Sequence, residues 1–253
     1  LVRAFVSKTD IETTILTSGG KGLGPSRQMI VDNAEGDYIV WVDDDFSLDK
    51  SFISNHVKFM DYNYTLGAAC PRPIENMKKA FTNLGNNGFL IQPKNPASIG
   101  TGGAIFRIKA IKEVGGFDLK INGAGEDKDI SCRIFRAGWL LARNNSASLS
   151  REYPPASLLS LWKKHFWYGR ANHFLYHKFI DKKLLIANYP LFAFLGGVTD
   201  AFRIYSINHK KIIFLLPLYN SFIHTAELFG FIRAHLAGYG HYSHDPEIVL
   251  IKL

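Results

Sequence analysis

Apolar and polar positions divide the chain into two parts with different patterns. From residue 1 to about 150, short apolar runs alternate with segments of helical spacing, which is typical of an α/β layer architecture. The run YIVWV at 38–42 is continuously apolar, as in a strand buried on both faces of a parallel sheet. The pattern also predicts strands at 11–16, 66–72 and 98–108, helices at 25–34 and 48–63, and a surface loop at 74–97. It further predicts a short helix from 108 that stops at Gly115 and Gly116, and a helix from 126 with Gly138 at its C-terminal cap.

Beyond about residue 150 the chain becomes aromatic and basic, and then strongly apolar. Residues 184–199 and 212–226 carry no formal charge. As helices each would span roughly 23 Å, short of the ~30 Å hydrocarbon core of a bilayer. Helices in the membrane interface, core helices of a helical subdomain and spanning helices all remain open. The flanking cations that could meet anionic headgroups are Lys182, Lys183, Arg203, Lys210 and Lys211.

This change of pattern predicts two regions. We expect residues 1–150 to form the catalytic domain and residues 151–253 to form a basic, aromatic and apolar helical extension that lies at the membrane interface. The first residues, LVRAFVSKTD, contain no long apolar run of the kind found in a signal peptide. We therefore expect the protein at the cytoplasmic face of the membrane, or otherwise in the cytoplasm.

The overall charge narrows the choice of partners. The 253 residues include 30 Lys and Arg against 22 Asp and Glu, a formal net charge of +8, and the last hundred residues carry many of these cations. A solvated basic surface, a phosphate-bearing ligand and an anionic membrane face all fit. No zinc-finger or RNA-binding signature is present, so we expect no nucleic-acid partner. The two cysteines provide neither a disulfide framework nor a C-x-x-C metal pair.

Against this basic background, three consecutive acidic residues follow the apolar run at 38–42. Asp43, Asp44 and Asp45 cannot all stay ionised side by side without a counter-charge. Mg²⁺ or Mn²⁺ would supply it, because hard oxygen ligands suit these ions and substrate phosphates commonly complete their shell. In extended backbone Asp43 and Asp45 share a face, so these two are the predicted metal ligands. The alternative is a polar turn that caps the next helix.

A second acidic cluster lies in GAGEDKD at 123–129, where a helix is predicted to begin. The helix dipole and the free N–H groups there favour the ionised forms of Glu126, Asp127 and Asp129. A carboxylate kept deprotonated in a cleft can accept a proton from a hydroxyl, as a general base must. Simple capping of the helix is the alternative.

Taken together, the ordered motifs resemble a known enzyme family. The set KGLGPSRQMIVDNAEGDYIVWVDDD, GTGGAIFRIKAIKEVGGFD and GAGEDKDISCRIFRAGW is similar to the inverting family 2 glycosyltransferases with the GT-A fold. That resemblance implies a Rossmann-like, mostly parallel central sheet flanked by helices, with the helical extension following it. The family also opens with elements that recognise the nucleobase, which we do not find here, so the nucleotide-binding part of the chain is expected to be incomplete.

The resemblance also assigns roles to individual residues. It implies that Asp43 and Asp45 hold the metal and diphosphate, that Asp44 lies near the ribose or sugar, and that Asp127 is the base with Glu126 as its alternate. The remaining donor-binding residues implied by family position are Arg27, Gly102 and Gly103, together with Lys163, His165 and Arg170 in the basic segment LLSLWKKHFWYGRANHF. This segment would close over the leaving diphosphate, or would instead form an amphipathic helix that packs on the core.

The sequence thus predicts a metal-dependent inverting glycosyltransferase. Its donor would be a nucleotide-diphospho-sugar, and its acceptor a glycan or a lipid-linked molecule, with a polyprenyl-phosphate glycosyl synthase as one version. Two other functions fit the same sequence. One is a nucleotidyltransferase, which shares the sheet and the metal carboxylates, and the other is an inactive sugar-binding protein with the same fold.

Overall fold

The computed structural model describes residues 22–43, 46–73, 99–151, 157–179 and 189–238. The predicted strand at 11–16, the surface loop at 74–97, and Asp44 and Asp45 lie outside these residues. The described strands are β1 (Tyr38–Val40), β2 (Phe46–Leu48), β3 (Leu66–Pro73), β4 (Ile105–Arg107) and β5 (Leu140–Arg151). The described helices are α1 (Leu23–Asp32), α2 (Phe52–Tyr62), α3 (Ile108–Glu113), α4 (Glu126–Arg136), α5 (Leu158–Phe179), α6 (Pro190–Asn208) and α7 (Leu216–Leu236), with a 3₁₀ helix at Lys211–Leu215 before α7.

The described strands form one sheet in the order β1-β4-β3-β5-β2. β3 pairs with β5 in parallel, whereas β1 with β4, β4 with β3 and β5 with β2 are antiparallel. The expected α/β architecture is present, but among these strands the sheet is not mostly parallel. A continuous apolar run indicates that both faces of a strand are covered, but it does not indicate whether the neighbouring strand is parallel or antiparallel.

Most predicted elements are found, with shifted ends. The strand predicted at 98–108 covers only Ile105–Arg107, because the glycine-containing segment before it forms a turn. The helix predicted at 48–63 begins at Phe52, because residues 46–48 are held as strand β2 against β5. β5 itself was not predicted. Helix α4 begins at Glu126, as expected, and Gly138 follows its end with a φ of 92° that favours glycine.

The core lies between the sheet and the helices on its two faces. On one face Phe106 and Leu141 pack with Ile111 of α3 and with Ile130 and Ile134 of α4, all fully or almost fully buried. On the other face Ile105 and Ala142 pack with Met60 of α2. The sheet is thus covered on both sides, which holds the end of β1 and the start of α4 in fixed positions.

Helix α7 packs against both α5 and α6, and α5 and α7 run in the same direction at close distance. A Cβ added to Gly169 of α5 would overlap the carbonyl of Glu227, and one added to Gly230 of α7 would overlap the carbonyl of Phe166. The two glycines therefore let the helix backbones touch. Trp162 of α5 adds a ring contact to Phe229 of α7, with centroids 5.9 Å apart.

Helix α5 also joins this helical region to the α/β region. The side chains of Ala171 and Leu175 lie against Gly125, the residue that precedes α4. The Lys178 ammonium pairs with Asp118 and with the fully buried Asp129 of α4, both at 2.6 Å. These contacts cross the boundary at 150, so the two predicted regions share an interface.

Of the described helices, the continuous segment Lys211–Leu236 has the length and composition needed to cross a membrane. Only 22% of its most apolar window is buried inside the protein.

Candidate active site

The carboxyl end of β1 is fixed against the glycine segment Gly100–Gly103 by backbone hydrogen bonds. The Trp41 N–H donates to the carbonyl of Ala104 at 2.9 Å, and the Gly103 N–H donates back to the carbonyl of Trp41 at 2.8 Å. Asp43 follows two residues later, at the exposed end of the strand. The pairing therefore places this carboxylate beside the glycine turn.

The glycines of this turn allow neighbouring side chains to approach its backbone closely. A Cβ on Gly102 would lie 2.9 Å from Cζ of Phe46 and 3.5 Å from Oδ2 of Asp43. Gly103 has a φ of 77°, which side chains rarely adopt, and its Cβ would overlap the side chain of Leu149. The Phe46 ring and the Asp43 carboxylate therefore approach the backbone of this turn closely at Gly102.

The same turn also borders the second acidic cluster. A Cβ on Gly100 would lie 3.6 Å from Oδ2 of Asp127. The neighbouring Ile99 is tied to α4, because Ser131 Oγ lies 3.1 Å from the Ile99 N–H and 3.2 Å from its carbonyl. Asp43 and Asp127 come from distant parts of the sequence, yet their carboxylates flank glycines that are two residues apart. The turn joins the two clusters into one site.

At the start of α4 the adjacent acidic residues have different partners. Asp127 accepts the N–H of Lys128 through Oδ1 at 2.7 Å, a local bond of the first helical turn. Glu126 is buried and accepts a hydrogen bond from Nε of Arg27 at 3.0 Å. The Arg27 guanidinium also lies 4.9 Å from the centre of the Trp41 ring. Arg27 thus connects α1, β1 and α4 beneath the site.

Burial dominates the electrostatics of both carboxyl groups. It raises the pKa of Asp127 above its ordinary value, while the Lys128 N–H and the charge of Arg27 oppose that rise. Burial and then the charge of Asp127 raise the pKa of Glu126, while Arg27 acts in the opposite direction. A raised pKa makes a carboxylate a stronger proton acceptor near neutral pH. Because the Glu126 carboxylate already faces Arg27, Asp127 has the better position for that task.

The structure brings Arg27, Asp43, Gly102, Gly103, Glu126 and Asp127 together, and the basic segment lies elsewhere. The Nδ1 atom of His165 is 2.7 Å from Oε1 of Glu227 in α7, so this imidazole contacts a neighbouring helix. Lys163 and Arg170 are exposed on α5. Helix α5 thus contacts α7 through His165, while Leu158 and Trp167 are 72% and 40% exposed, so its apolar side is only partly covered.

Three residues that support the site were not predicted as such. Asp129 was expected in the acidic cluster, but it is fully buried and pairs with Arg133 at 2.6 Å as well as with Lys178. Gln28 accepts the N–H of Phe117 at 2.7 Å and so attaches α1 to the turn after α3. The i,i+4 spacing of Asp129 and Arg133 is a signal that could have identified their pair. Lys178 carries no such signal, because its partners are far away in sequence.

Comparisons with known proteins bear on what this arrangement does. The family model described as glycosyl transferase family group 2 matches residues 38–233. No curated protein matches the chain.

Among solved structures, the chain is similar to GalNAc-T7 crystallised with UDP, GalNAc and Mn²⁺, at 13% identity over 62% of this chain and 37% of that one, with a TM-score of 0.43. It is similar to residues 1–349 of S. aureus TarS in complex with UDP-GlcNAc, at 11% identity over 96% and 79% of the two chains, with a TM-score of 0.46. A longer S. aureus TarS structure gives 14% identity over 66% and 30%, with a TM-score of 0.45. The chain thus spans well under half of GalNAc-T7 and of the longer TarS chain.

Proposed function

Because the chain belongs to glycosyl transferase family group 2, we propose that it transfers a sugar from a nucleotide-diphospho-sugar to an acceptor hydroxyl with inversion at the anomeric carbon. The observation that carries this proposal is the position of Asp43 and Asp127 on the two sides of one glycine turn. Asp43 would bind the diphosphate through a metal ion, and Asp127 would accept the proton of the acceptor hydroxyl. The sugar would lie between them, beside Gly100–Gly103.

Asp127 is the proposed general base. Its carboxylate would accept the proton of the acceptor hydroxyl while that oxygen attacks the anomeric carbon on the face opposite the leaving nucleoside diphosphate. Glu126 and Arg27 are positioning residues in this scheme. Their buried ion pair at 3.0 Å fixes the first turn of α4 and hence the direction of the Asp127 side chain.

Asp43 is the residue that would hold a divalent cation. Its exposed carboxylate supplies the hard oxygen that Mg²⁺ and Mn²⁺ prefer, so the described residue fits such an ion. Asp45 is proposed as a further ligand, and Asp44 as a neighbour of the ribose or sugar. When bound, the ion would offset the negative charge of the diphosphate as it leaves.

A membrane surface is the proposed location of the acceptor. Large apolar side chains remain exposed on α6 and α7, with exposed fractions of 63% for Phe202, 61% for Leu218 and 54% for Phe229. Exposed Lys210 and Lys211 lie between these helices, where they could meet anionic headgroups. A lipid-linked acceptor, such as a polyprenyl phosphate or a lipid-linked glycan, would be presented at this surface, on its cytoplasmic side.

The test is donor turnover with matched variants. Full-length protein with Mn²⁺ is incubated with a panel of nucleotide sugars, and release of the nucleoside diphosphate and of the transferred sugar is measured. We expect one donor to be consumed. Asp127→Asn should abolish transfer and still bind that donor, whereas Asp43→Asn should weaken metal-dependent donor binding. The anomeric configuration of the product, read by NMR, tests inversion.

The same experiment separates the alternatives. A nucleotidyltransferase would release pyrophosphate from a nucleoside triphosphate and would leave nucleotide sugars intact. An inactive sugar-binding protein would bind a donor or glycan without turnover. If no nucleotide sugar binds in the presence of Mn²⁺ or Mg²⁺, the proposed function is wrong.

A further inference from the structure

Three histidines meet at the contact between α5 and α7, away from the acidic site. His173 and His177 are four residues apart on α5 and so lie on one face of that helix. His235, in the last turn of α7, faces them. One ring nitrogen from each histidine lies within 4.8 Å of those from the other two, and His173 is buried, His177 half-buried and His235 exposed.

Hydrogen bonds among the three rings alone do not account for this arrangement. Nε2 of His173 lies 3.0 Å from Nε2 of His177 and 3.3 Å from Nδ1 of His235. An imidazole nitrogen has a single in-plane position, which either carries one hydrogen or accepts one. It cannot form two full hydrogen bonds in different directions. Protonation of two of the rings would instead place positive charges in contact.

A metal ion would satisfy all three nitrogens at once. In a tetrahedral Zn²⁺ site the metal–nitrogen distance is about 2.0–2.1 Å, which places neighbouring ligand nitrogens about 3.3 Å apart. The two distances at His173 Nε2 are close to that value. Three neutral imidazoles suit Zn²⁺, Cu²⁺ or Ni²⁺ and are poor ligands for Mg²⁺.

We propose that His173, His177 and His235 form a transition-metal site, with Zn²⁺ as its natural ion, that fastens α7 to α5. His235 is exposed, so the ion has a path from solvent and water can complete the tetrahedron. The Phe231 ring lies 4.8 Å from that of His173, and the Tyr176 ring lies 5.2 Å from that of His177. These rings limit the movement of the imidazoles and so favour a preformed site.

The position of the site indicates a structural role. On α5 the histidines lie between Ala171 and Lys178, the residues that contact Gly125 and Asp129 at the start of α4. Fixing α7 to this part of α5 would strengthen the support beneath the acidic site. The site shares no residue with the proposed Mn²⁺ or Mg²⁺ position at Asp43, so either can fail without the other.

Metal titration of the tag-free full chain tests the proposal. Co²⁺ bound by three histidines in a tetrahedron gives a visible absorption band, which Zn²⁺ should abolish by displacement. We expect one equivalent to produce this band. His177→Gln and His235→Gln should each weaken binding by about tenfold or more, the scale on which metal sites respond even to loss of supporting residues. Both variants change side chains that are not fully buried, and far-UV circular dichroism checks that they keep their helices.

Two controls make the result specific. His209→Asn removes an exposed histidine at the end of α6 and should bind Co²⁺ as the unmodified chain does. Asp43→Asn should also leave the Co²⁺ band unchanged. In addition, saturating Zn²⁺ should raise the Tm of the unmodified chain, because a ligand of the folded state stabilises it, and should not raise that of His235→Gln. Absence of saturable binding, or equal binding by His235→Gln, would overturn the proposal.

Discussion

Asp127 and Glu126 are adjacent in the sequence, but their surroundings prepare them for different tasks. Glu126 is buried against Arg27, so its charge is compensated and its position is fixed. Asp127 accepts the local N–H of Lys128 on one oxygen, and its other oxygen lies beside the glycine turn. The sequence identified the ED pair, and the family resemblance named Asp127 as the base. The contact with Arg27 gives a physical reason for that choice, because a paired carboxylate accepts a proton less readily.

The raised pKa of Asp127 predicts that ionisation of this carboxyl lowers the stability of the fold, although transfer requires the ionised form. A carboxyl whose folded pKa lies above its unfolded value stabilises the fold at low pH, and this contribution is lost as pH rises through the folded pKa. At neutral pH the ionised carboxylate therefore lowers the free energy of unfolding. Asp127→Asn should keep or raise the Tm at pH 7 while abolishing transfer, as measured by thermal unfolding beside the activity assay.

Arg27→Gln is the control for this prediction. It removes the charge that lowers the pKa of the buried Glu126 carboxyl and leaves that group unpaired, so it should lower the Tm. A loss of stability in Asp127→Asn equal to that of Arg27→Gln would contradict this account of the site.

The same raised pKa predicts the pH dependence of transfer. A general base works only when deprotonated, so kcat/KM should fall as pH drops through the pKa of Asp127 in the free enzyme. Because burial raises that pKa, the fall should begin at higher pH than for an ordinary aspartate. Measuring kcat/KM against pH at saturating metal tests this. A rate that stays constant down to the range of an exposed carboxylate would exclude Asp127 as the base.

At the glycine turn, a single methyl group should be harmful. A Cβ at position 102 would be 2.9 Å from the Phe46 ring and would occupy the space beside Asp43 Oδ2. Gly102→Ala should therefore reduce kcat/KM for the donor by about tenfold or more, since small misplacements at a reacting centre are costly. Gly36→Ala is the control, because the nearest atom to its Cβ would be 3.8 Å away. Equal activities of the two variants would show that the turn does not approach the substrate.

At the scale of elements, the hydrophobic periodicity predicted those elements whose pattern is local in the sequence. Helix α4 was foreseen from the spacing of Ile130 and Ile134 and from the glycine at its end. Strand β5 was missed because its polar middle lacks the alternation of a typical strand. There Asn144 is nearly fully buried and donates a hydrogen bond to the carbonyl of Asn55, so an amide occupies a position that an apolar residue would normally mark.

Contacts between distant elements were beyond sequence reasoning. The expectation that His165 reaches the donor rested on its place after the base helix, and its partner Glu227 lies 62 residues further along the chain. Likewise, the composition of β1 and β4 gives no sign that they pair antiparallel. The acidic site could be predicted because each of its two acidic clusters has a local sequence pattern. The three-histidine cluster could not, because it forms only when α7 packs on α5.

The close approach of α5 and α7 gives a prediction for the element scale. Gly230→Ala places a methyl group against the Phe166 carbonyl, so the helices must separate, and we expect a loss of about 1–3 kcal/mol in the free energy of unfolding. In Gly196→Ala nothing lies within 4 Å of the added methyl, and the change should instead stabilise α6 by about 0.5–1 kcal/mol. Denaturant unfolding of both variants measures the difference, and the same sign for both would contradict the packing.

For the whole molecule, the contacts between the α/β region and the C-terminal helices matter most. Lys178 is almost fully buried between Asp118 and Asp129, and Leu175 covers Gly125. The acidic site is therefore held from both sides of the predicted boundary at 150. The sequence change at that boundary reflects a different surface, apolar and basic, while the packing continues across it.

That surface predicts membrane binding of the complete protein. Full-length protein mixed with vesicles should float with them in a density gradient when the vesicles contain anionic lipid, because exposed apolar side chains insert and lysines meet the headgroups. Lys210→Gln combined with Lys211→Gln should weaken flotation, and raised salt should do so as well. Protein that stays at the bottom of the gradient with every vesicle composition would exclude a membrane location.

The parallel contact of α5 and α7 also has a consequence for synthesis in the cell. His165 meets a partner that is made 62 residues later, and Gly169 lies in the same contact. At about 5–20 residues per second, a ribosome needs roughly 3 to 12 s to produce that distance. During this interval the apolar side of α5 is already made while the helix that covers it is not. The nascent chain therefore passes through a period in which a chaperone, or the bilayer itself, has to shield α5 from aggregation.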